Sequence, residues 1–121
     1  MEYRVCRNNP APYNDLNGKI SLLGLGTMRL PLRDAADQTS IDEEKAQEIF
    51  DYAYAHGVNY FDTAYPYHGG MSEKFCGKAL AKYPRASYHL ASKLPGWLLK
   101  CDEDVPRIFN EQLANCRTDY F

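Results

Sequence analysis

No run of the chain approaches the roughly 18 consecutive apolar residues that a membrane-spanning helix needs. The longest apolar stretches, around Ile20–Leu25 and Trp97–Leu99, are far shorter. Excess positive charge is missing as well. Fourteen Lys and Arg stand against sixteen Asp and Glu, a formal net charge of −2, so the basic face on which phosphate-backbone binding depends is not implied. Neither a membrane nor a nucleic acid is therefore expected as a partner. Cysteine is sparse: no two of Cys6, Cys76, Cys101 and Cys116 stand at Cys-x-x-Cys spacing. We expect no metal site and no disulfide from them. The N-terminal Met-Glu-Tyr-Arg-Val-Cys lacks the charged-then-apolar layout of a signal peptide, which points to the cytoplasm. Internal repeats, low-complexity tracts and charge blocks are also missing.

What is present is an ordinary globular mix, 45% hydrophobic and 25% charged in 121 residues, enough for one domain. Residues 1–18 are polar and turn-rich (Asn8-Asn9-Pro10, Asn14-Asp15, Asn17-Gly18) and read as an extended or hairpin lead-in. Ile20 to Gly26 reads as a first buried strand. Ser40-Ile41-Asp42-Glu43 has capping-box spacing and predicts a helix whose apolar stripe is Ala46, Ile49, Phe50 and Ala53, stopped at Gly57. Val58–Asp62 reads as a second strand. Ser72 is placed to cap a short helix with Phe75, Cys76, Ala79 and Leu80 inward. Tyr88–Leu94 reads as a third strand. A third helix is expected from Asp102 or Asp104, tolerating Pro106 in its first turn and burying Val105, Phe109, Leu113 and Cys116.

This alternation predicts parallel strands joined by helices. The fold class is α/β, either a small open sheet or the first part of a barrel; periodicity does not choose between them. A complete (β/α)8 barrel takes about 250 residues, roughly 30 for each unit.

Parallel α/β folds build their sites at the carboxyl ends of the strands. Asp62 ends the second predicted strand and Lys93 nears the end of the third. An ionisable group in such a place needs a partner, and these two can pair, either as a structural ion pair or as part of a site. Tyr67 follows five residues after Asp62, beside Tyr65 and His68. A phenol is a poor acid at neutral pH, and a nearby ammonium stabilises its phenolate. Tyr67, Lys93 and Asp62 thus combine a proton donor, a group that tunes it and a group that orients the tuner. Tyr65 is the next candidate donor. Gly24-Leu25-Gly26-Thr27-Met28-Arg29 lacks the third glycine of a dinucleotide fingerprint and does not open a helix. His56, His68 and His89 have no metal-ligand spacing, and His56 suits a helix end.

Three segments resemble the aldo-keto reductases in order: Gly24-Leu25-Gly26-Thr27-Met28-Arg29-Leu30-Pro31, then Asp62-Thr63-Ala64-Tyr65-Pro66-Tyr67 running on to Ser72-Glu73, then Leu90-Ala91-Ser92-Lys93-Leu94. The wording of the second and third is similar to a prokaryotic branch whose members often carry a [4Fe-4S] segment after the barrel. The resemblance implies a TIM barrel, NADP(H) or NAD(H) as cofactor, and hydride transfer between cofactor and a small carbonyl or alcohol substrate. It implies Tyr67 as general acid, Lys93 as its tuning neighbour and Asp62 as the carboxylate holding that lysine. Gly26, Thr27 and Met28, with Asp62, are expected to line the nicotinamide end. A [4Fe-4S] cluster is implied only for a longer parent. On this reading residues 19–121 are a partial barrel, truncated before strand four and so before the family's catalytic histidine. Three parallel strands alone expose two edges and a face, expected to be apolar, that further strands would cover. The isolated chain is then expected to be inactive and either to self-associate or to stay partly molten. A small non-catalytic α/β interaction or scaffold module derived from that barrel is the alternative.

Overall fold

The computed structural model describes residues 1–5 and 19–121. Cys6 and the expected turns at Asn8-Asn9-Pro10, Asn14-Asp15 and Asn17-Gly18 lie outside the described residues. Tyr3–Val5 (β1) and Lys19–Ser21 (β2) form an antiparallel pair with Tyr3 opposite Ser21. Leu25–Gly26 (β3), Tyr60–Asp62 (β4) and His89–Ala91 (β5) form a parallel sheet in the order β3-β4-β5. Helix α1 (Glu43–Ala55) joins β3 to β4, α2 (Met71–Leu80) joins β4 to β5, and α3 (Asp104–Asn115) follows β5.

The single first strand expected from Ile20 to Gly26 is in fact two. Ser21 causes the break: its N–H donates to Asn59 Oδ1 (2.8 Å) and its hydroxyl to the Leu23 carbonyl (2.7 Å). Ile20 therefore joins the hairpin, and Leu22 and Leu23 turn out to solvent. The second strand starts at Tyr60 rather than Val58, because the Asn59 side chain ties this end of the sheet to the hairpin through Ser21 and the Lys19 carbonyl. The third is likewise shorter than expected, ending at Ala91.

The helix ends also differ from expectation. Ser40 does not cap α1. Its hydroxyl closes the preceding loop by donating to the carbonyls of Asp34 and Asp37 and accepting from the Asp34 N–H. Asp42 caps instead, accepting from the Lys45 N–H. Gly57, at φ +88°, stops the helix as expected. Ser72 does not cap α2; Gly70 takes that place, and Ser72 lies inside the helix, buried. Helix α3 starts at Asp104.

The core forms where the helices meet one face of the parallel sheet. Phe50 of α1 stacks on Phe61 of β4 (centroids 5.3 Å apart) and meets Phe75 of α2 edge-on (5.4 Å). Ala46, Cys76, Ala79, Leu80 and Leu90 pack around them, with Leu30, Ile41, Tyr88 and Cys116 in the same cluster. Three stripe residues expected inside are outside: Ile49 on α1, and on α3 both Val105 and Phe109. The buried stripe of α3 is Ile108 and Gln112, continued by Cys116 at its C-cap, each four residues apart. In β4 and β5 only the central residue is buried. The second face of the sheet carries Tyr60, Asp62, His89 and Ala91, so it is mixed in polarity rather than apolar.

Helices α2 and α3 meet at Gly77. A Cβ there would stand 2.6 Å from the Asn115 oxygen and 2.6 Å from the Cys116 carbonyl carbon, both backbone atoms that cannot rotate away. Gly77→Ala is expected to destabilise the fold by about 1–3 kcal/mol, more than the ~1 kcal/mol that alanine gains in helix propensity. Urea denaturation followed by circular dichroism checks this, and an unchanged or raised midpoint would contradict the close approach.

Candidate active site

Parallel register brings the carboxyl ends of the three strands side by side: Gly26 stands opposite Asp62, and Asp62 opposite Ala91. Asp62 is the last residue of β4, and Lys93 lies two residues past β5. Lys93 Nζ donates to Asp62 Oδ1 at 2.6 Å and to the Thr63 carbonyl at 2.9 Å. The same ammonium lies 4.9 Å from the centroid of the Tyr67 ring. Burial works against the Lys93 cation, but its bonds to Asp62 and Tyr67 outweigh that and raise its pKa above the usual lysine value. Lys93 is a cation at neutral pH.

Tyr67 opens a 3-10 turn, Tyr67–Gly70, with its N–H donated to the Ala64 carbonyl. The next residue, His68, is buried and adopts φ +54°, a left-handed conformation that side chains rarely take. Its ring explains how this is held. Nε2 accepts the Leu30 N–H at 3.2 Å, and Nδ1 lies 2.9 Å from the Gln38 carbonyl, to which it donates. The imidazole thus ties the Tyr67 turn to the loop after β3.

Below the strand ends, the Ser72 hydroxyl lies 2.8 Å from Thr27 Oγ1 and 2.9 Å from Thr63 Oγ1, and Thr27 Oγ1 also donates to the Asp62 carbonyl at 3.0 Å. All three hydroxyls belong to fully buried residues. They join β3, β4 and α2 under the ion pair.

The comparisons with known proteins converge. A model of the aldo/keto reductase family matches residues 22–121. The chain belongs to the aldo/keto reductase family. It is 33% identical over 108 residues to an L-galactose dehydrogenase of Arabidopsis thaliana, covering 84% of this chain and 32% of that one. It is 49% identical over 55 residues to an aldo-keto reductase of Metarhizium robertsii, covering 44% of this chain and 15% of that one. Among solved structures, an aldo-keto reductase of Bacillus halodurans in its holo form aligns over all of this chain and 38% of its own, with a TM-score of 0.73 and 28% identity. The chain therefore spans well under half the length of these relatives, and its three βα units are part of an aldo-keto reductase TIM barrel.

The structure brings Asp62, Tyr67 and Lys93 together as the residues suggested. Tyr65 is elsewhere: burial first, and then its bond to Glu111 of α3, raise its pKa. Gly26 and Met28 face open ground, with nothing within 4 Å of a Cβ built on Gly26 and Met28 53% exposed. Thr27 turns its side chain inward to the Asp62 carbonyl and Ser72, so it is the backbone of Thr27 that is left to face outward. The structural roles of His68, Ser72 and Glu73 escaped the sequence reading, which names them only as a loop residue, a helix cap and part of a motif, and Gln112 escaped it altogether; the signal for Glu73 and Gln112 was a polar residue within an otherwise apolar helical stripe.

His68→Ala removes the ring that joins two loops and leaves the Leu30 N–H and Gln38 carbonyl unpaired. In the protein with a complete barrel, amide hydrogens of residues 27–30 and 64–70 are expected to exchange about tenfold faster or more, as follows from the 1–3 kcal/mol of orphaned polar groups. Unchanged protection there would contradict the role given to His68.

Proposed function

We propose that this segment carries the proton-donating half of an NADP(H)-dependent carbonyl reductase acting in the cytoplasm, with Tyr67 as general acid, Lys93 as its electrostatic neighbour and Asp62 as the group that holds Lys93. The observation that carries the reading is the placement of one ammonium against both a carboxylate, at 2.6 Å, and a phenol ring, at 4.9 Å. A non-catalytic module would need the ion pair but not the phenol beside it.

The residues fit a nicotinamide. Phenol, ammonium and carboxylate move protons but hold no electrons to give, so reduction at this site needs an external hydride donor. The open shelf beside Gly26 lies next to Asp62. Gly26, the Thr27 backbone, Met28 and Asp62 would line the ring. When bound, the reduced cofactor supplies the hydride. The protein's own share is electrostatic. Tyr67 donates its proton to the oxygen of a small carbonyl compound as negative charge develops there. Lys93 stabilises the phenolate left behind, and Asp62 with the Thr63 carbonyl keeps the ammonium at that spot. In the reverse direction the same phenolate accepts an alcohol proton. No step of this scheme uses an iron–sulfur cluster.

In a complete barrel, Tyr67→Phe is expected to lower carbonyl reduction by a factor of about 10² or more, with cofactor affinity nearly unchanged, because the hydroxyl meets the substrate. Near wild-type turnover in chemistry-limited assays would remove Tyr67 from the acid role.

The 121 residues by themselves are proposed to be silent and either to self-associate or to stay partly molten, since among the described residues β3 and β5 each leave an open edge and Leu22, Leu23, Ile49, Val105 and Phe109 are exposed. Their NADPH affinity is expected to be no better than about millimolar. Light scattering, NADPH titration by Trp97 fluorescence and an NADPH-consumption assay test this. A sharp monomer with tight cofactor binding or carbonyl-dependent turnover would overturn it.

A further inference from the structure

The most deeply buried acid among the described residues is not at the proposed active site. Glu73 of α2 is 0% exposed, and among the described residues it makes no ion pair. A buried carboxylate without a cation is costly unless hydrogen bonds satisfy it. Three do: Ser92 Oγ donates at 2.6 Å, Gln112 Nε2 at 2.8 Å and Asn115 Nδ2 at 3.1 Å. Gln112 is itself 2% exposed and reaches further. Its amide nitrogen also donates to Ser92 Oγ and to the Lys93 carbonyl, each at 3.0 Å. Three acceptors surround that nitrogen, which fixes the orientation of the amide.

The backbone it grips needs gripping. The last described ladder bond beside β5 runs from the Thr63 N–H to the Ala91 carbonyl, so Ser92 and Lys93 lie beyond the sheet. Asp62 and the Thr63 carbonyl fix the tip of the lysine; Gln112 fixes its root. A long, flexible side chain is held in one geometry only when both ends are anchored.

We propose that Gln112, oriented by Glu73, is a positioning residue that sets the distance between the Lys93 ammonium and Tyr67. The proposal rests on the roles given above to Lys93 and Tyr67. The titratable groups facing the ammonium are Asp62 from β4 and Tyr67 from the following turn; those around Glu73 are Cys76, Cys116 and Tyr65.

The test uses the complete enzyme and three variants: Gln112→Met, which keeps the length and removes the amide, Ser92→Ala, and Lys93→Met as reference. For Gln112→Met, kcat is expected to fall about tenfold, as for a small misplacement of a catalytic group. KM and NADPH affinity should hold within about twofold. The alkaline limb of the kcat–pH profile should move to lower pH, because an ammonium displaced from Asp62 and Tyr67 loses the bonds that raise its pKa. A lower thermal midpoint with kcat and the limb unmoved would overturn the proposal, since that is what a merely structural contact gives. If Gln112→Met does not fold, Ser92→Ala decides by the same readouts: a smaller shift of the limb in the same direction supports the proposal, and no shift overturns it. Lys93→Met with undiminished kcat would instead overturn the reading of Lys93, and this proposal with it.

Discussion

A single ammonium on the carboxyl side of a parallel sheet organises this segment. Lys93 cannot sit beside Tyr67 unless Asp62 balances it, and Asp62 cannot reach it unless β4 and β5 are in register with Asp62 opposite Ala91. The pair is half open to solvent, so its worth in stability is small. Its value lies in geometry: a cation kept where a phenol can use it.

The support under that pair is drier than the pair itself. Thr27, Thr63 and Ser72 exchange hydroxyl bonds in full burial, and Glu73, Ser92 and Gln112 form a second polar knot beneath the loop after β5. Satisfied buried networks of this kind confer one arrangement rather than many. The exposed ion pairs Lys78 with Glu43, which joins α2 to α1, and Lys82 with Asp51, which joins the turn after α2 to α1, belong to a class worth about 0–1 kcal/mol each. Rigidity at the site comes from inside the protein.

Asp62 and Lys93 could be read from the chain as candidates because charged residues late in apolar runs are expensive and therefore conspicuous, and Tyr67 because it follows Asp62 closely in the loop over the strand ends. The helices were visible from their repeating apolar faces, Phe50 and Phe75 among them, although on α3 the face read from the sequence was that of Val105 and Phe109 and the buried one is that of Ile108. What escaped was decided by side chains bonding across the fold. Ser40 has the spacing of a cap, yet three bonds within its own loop outcompete that role. Ser72 precedes an apolar stripe and is nonetheless drawn inward by two threonines. The first strand is split by bonds from Ser21 to Asn59 and Leu23, residues whose meeting no local pattern announces. Val105 and Phe109 are outside because the face α3 buries is that of Ile108 and Gln112, with Gln112 bonded to Glu73 of α2.

The most direct measurement is a crystal structure of the complete protein with nicotinamide cofactor and a bound carbonyl compound. The expected result is the carbonyl oxygen within hydrogen-bond distance of Tyr67 Oη, with Lys93 Nζ lying between that hydroxyl and Asp62. A Lys93 swung away to another partner, or a carbonyl oxygen held by some group other than Tyr67, would contradict the assignment.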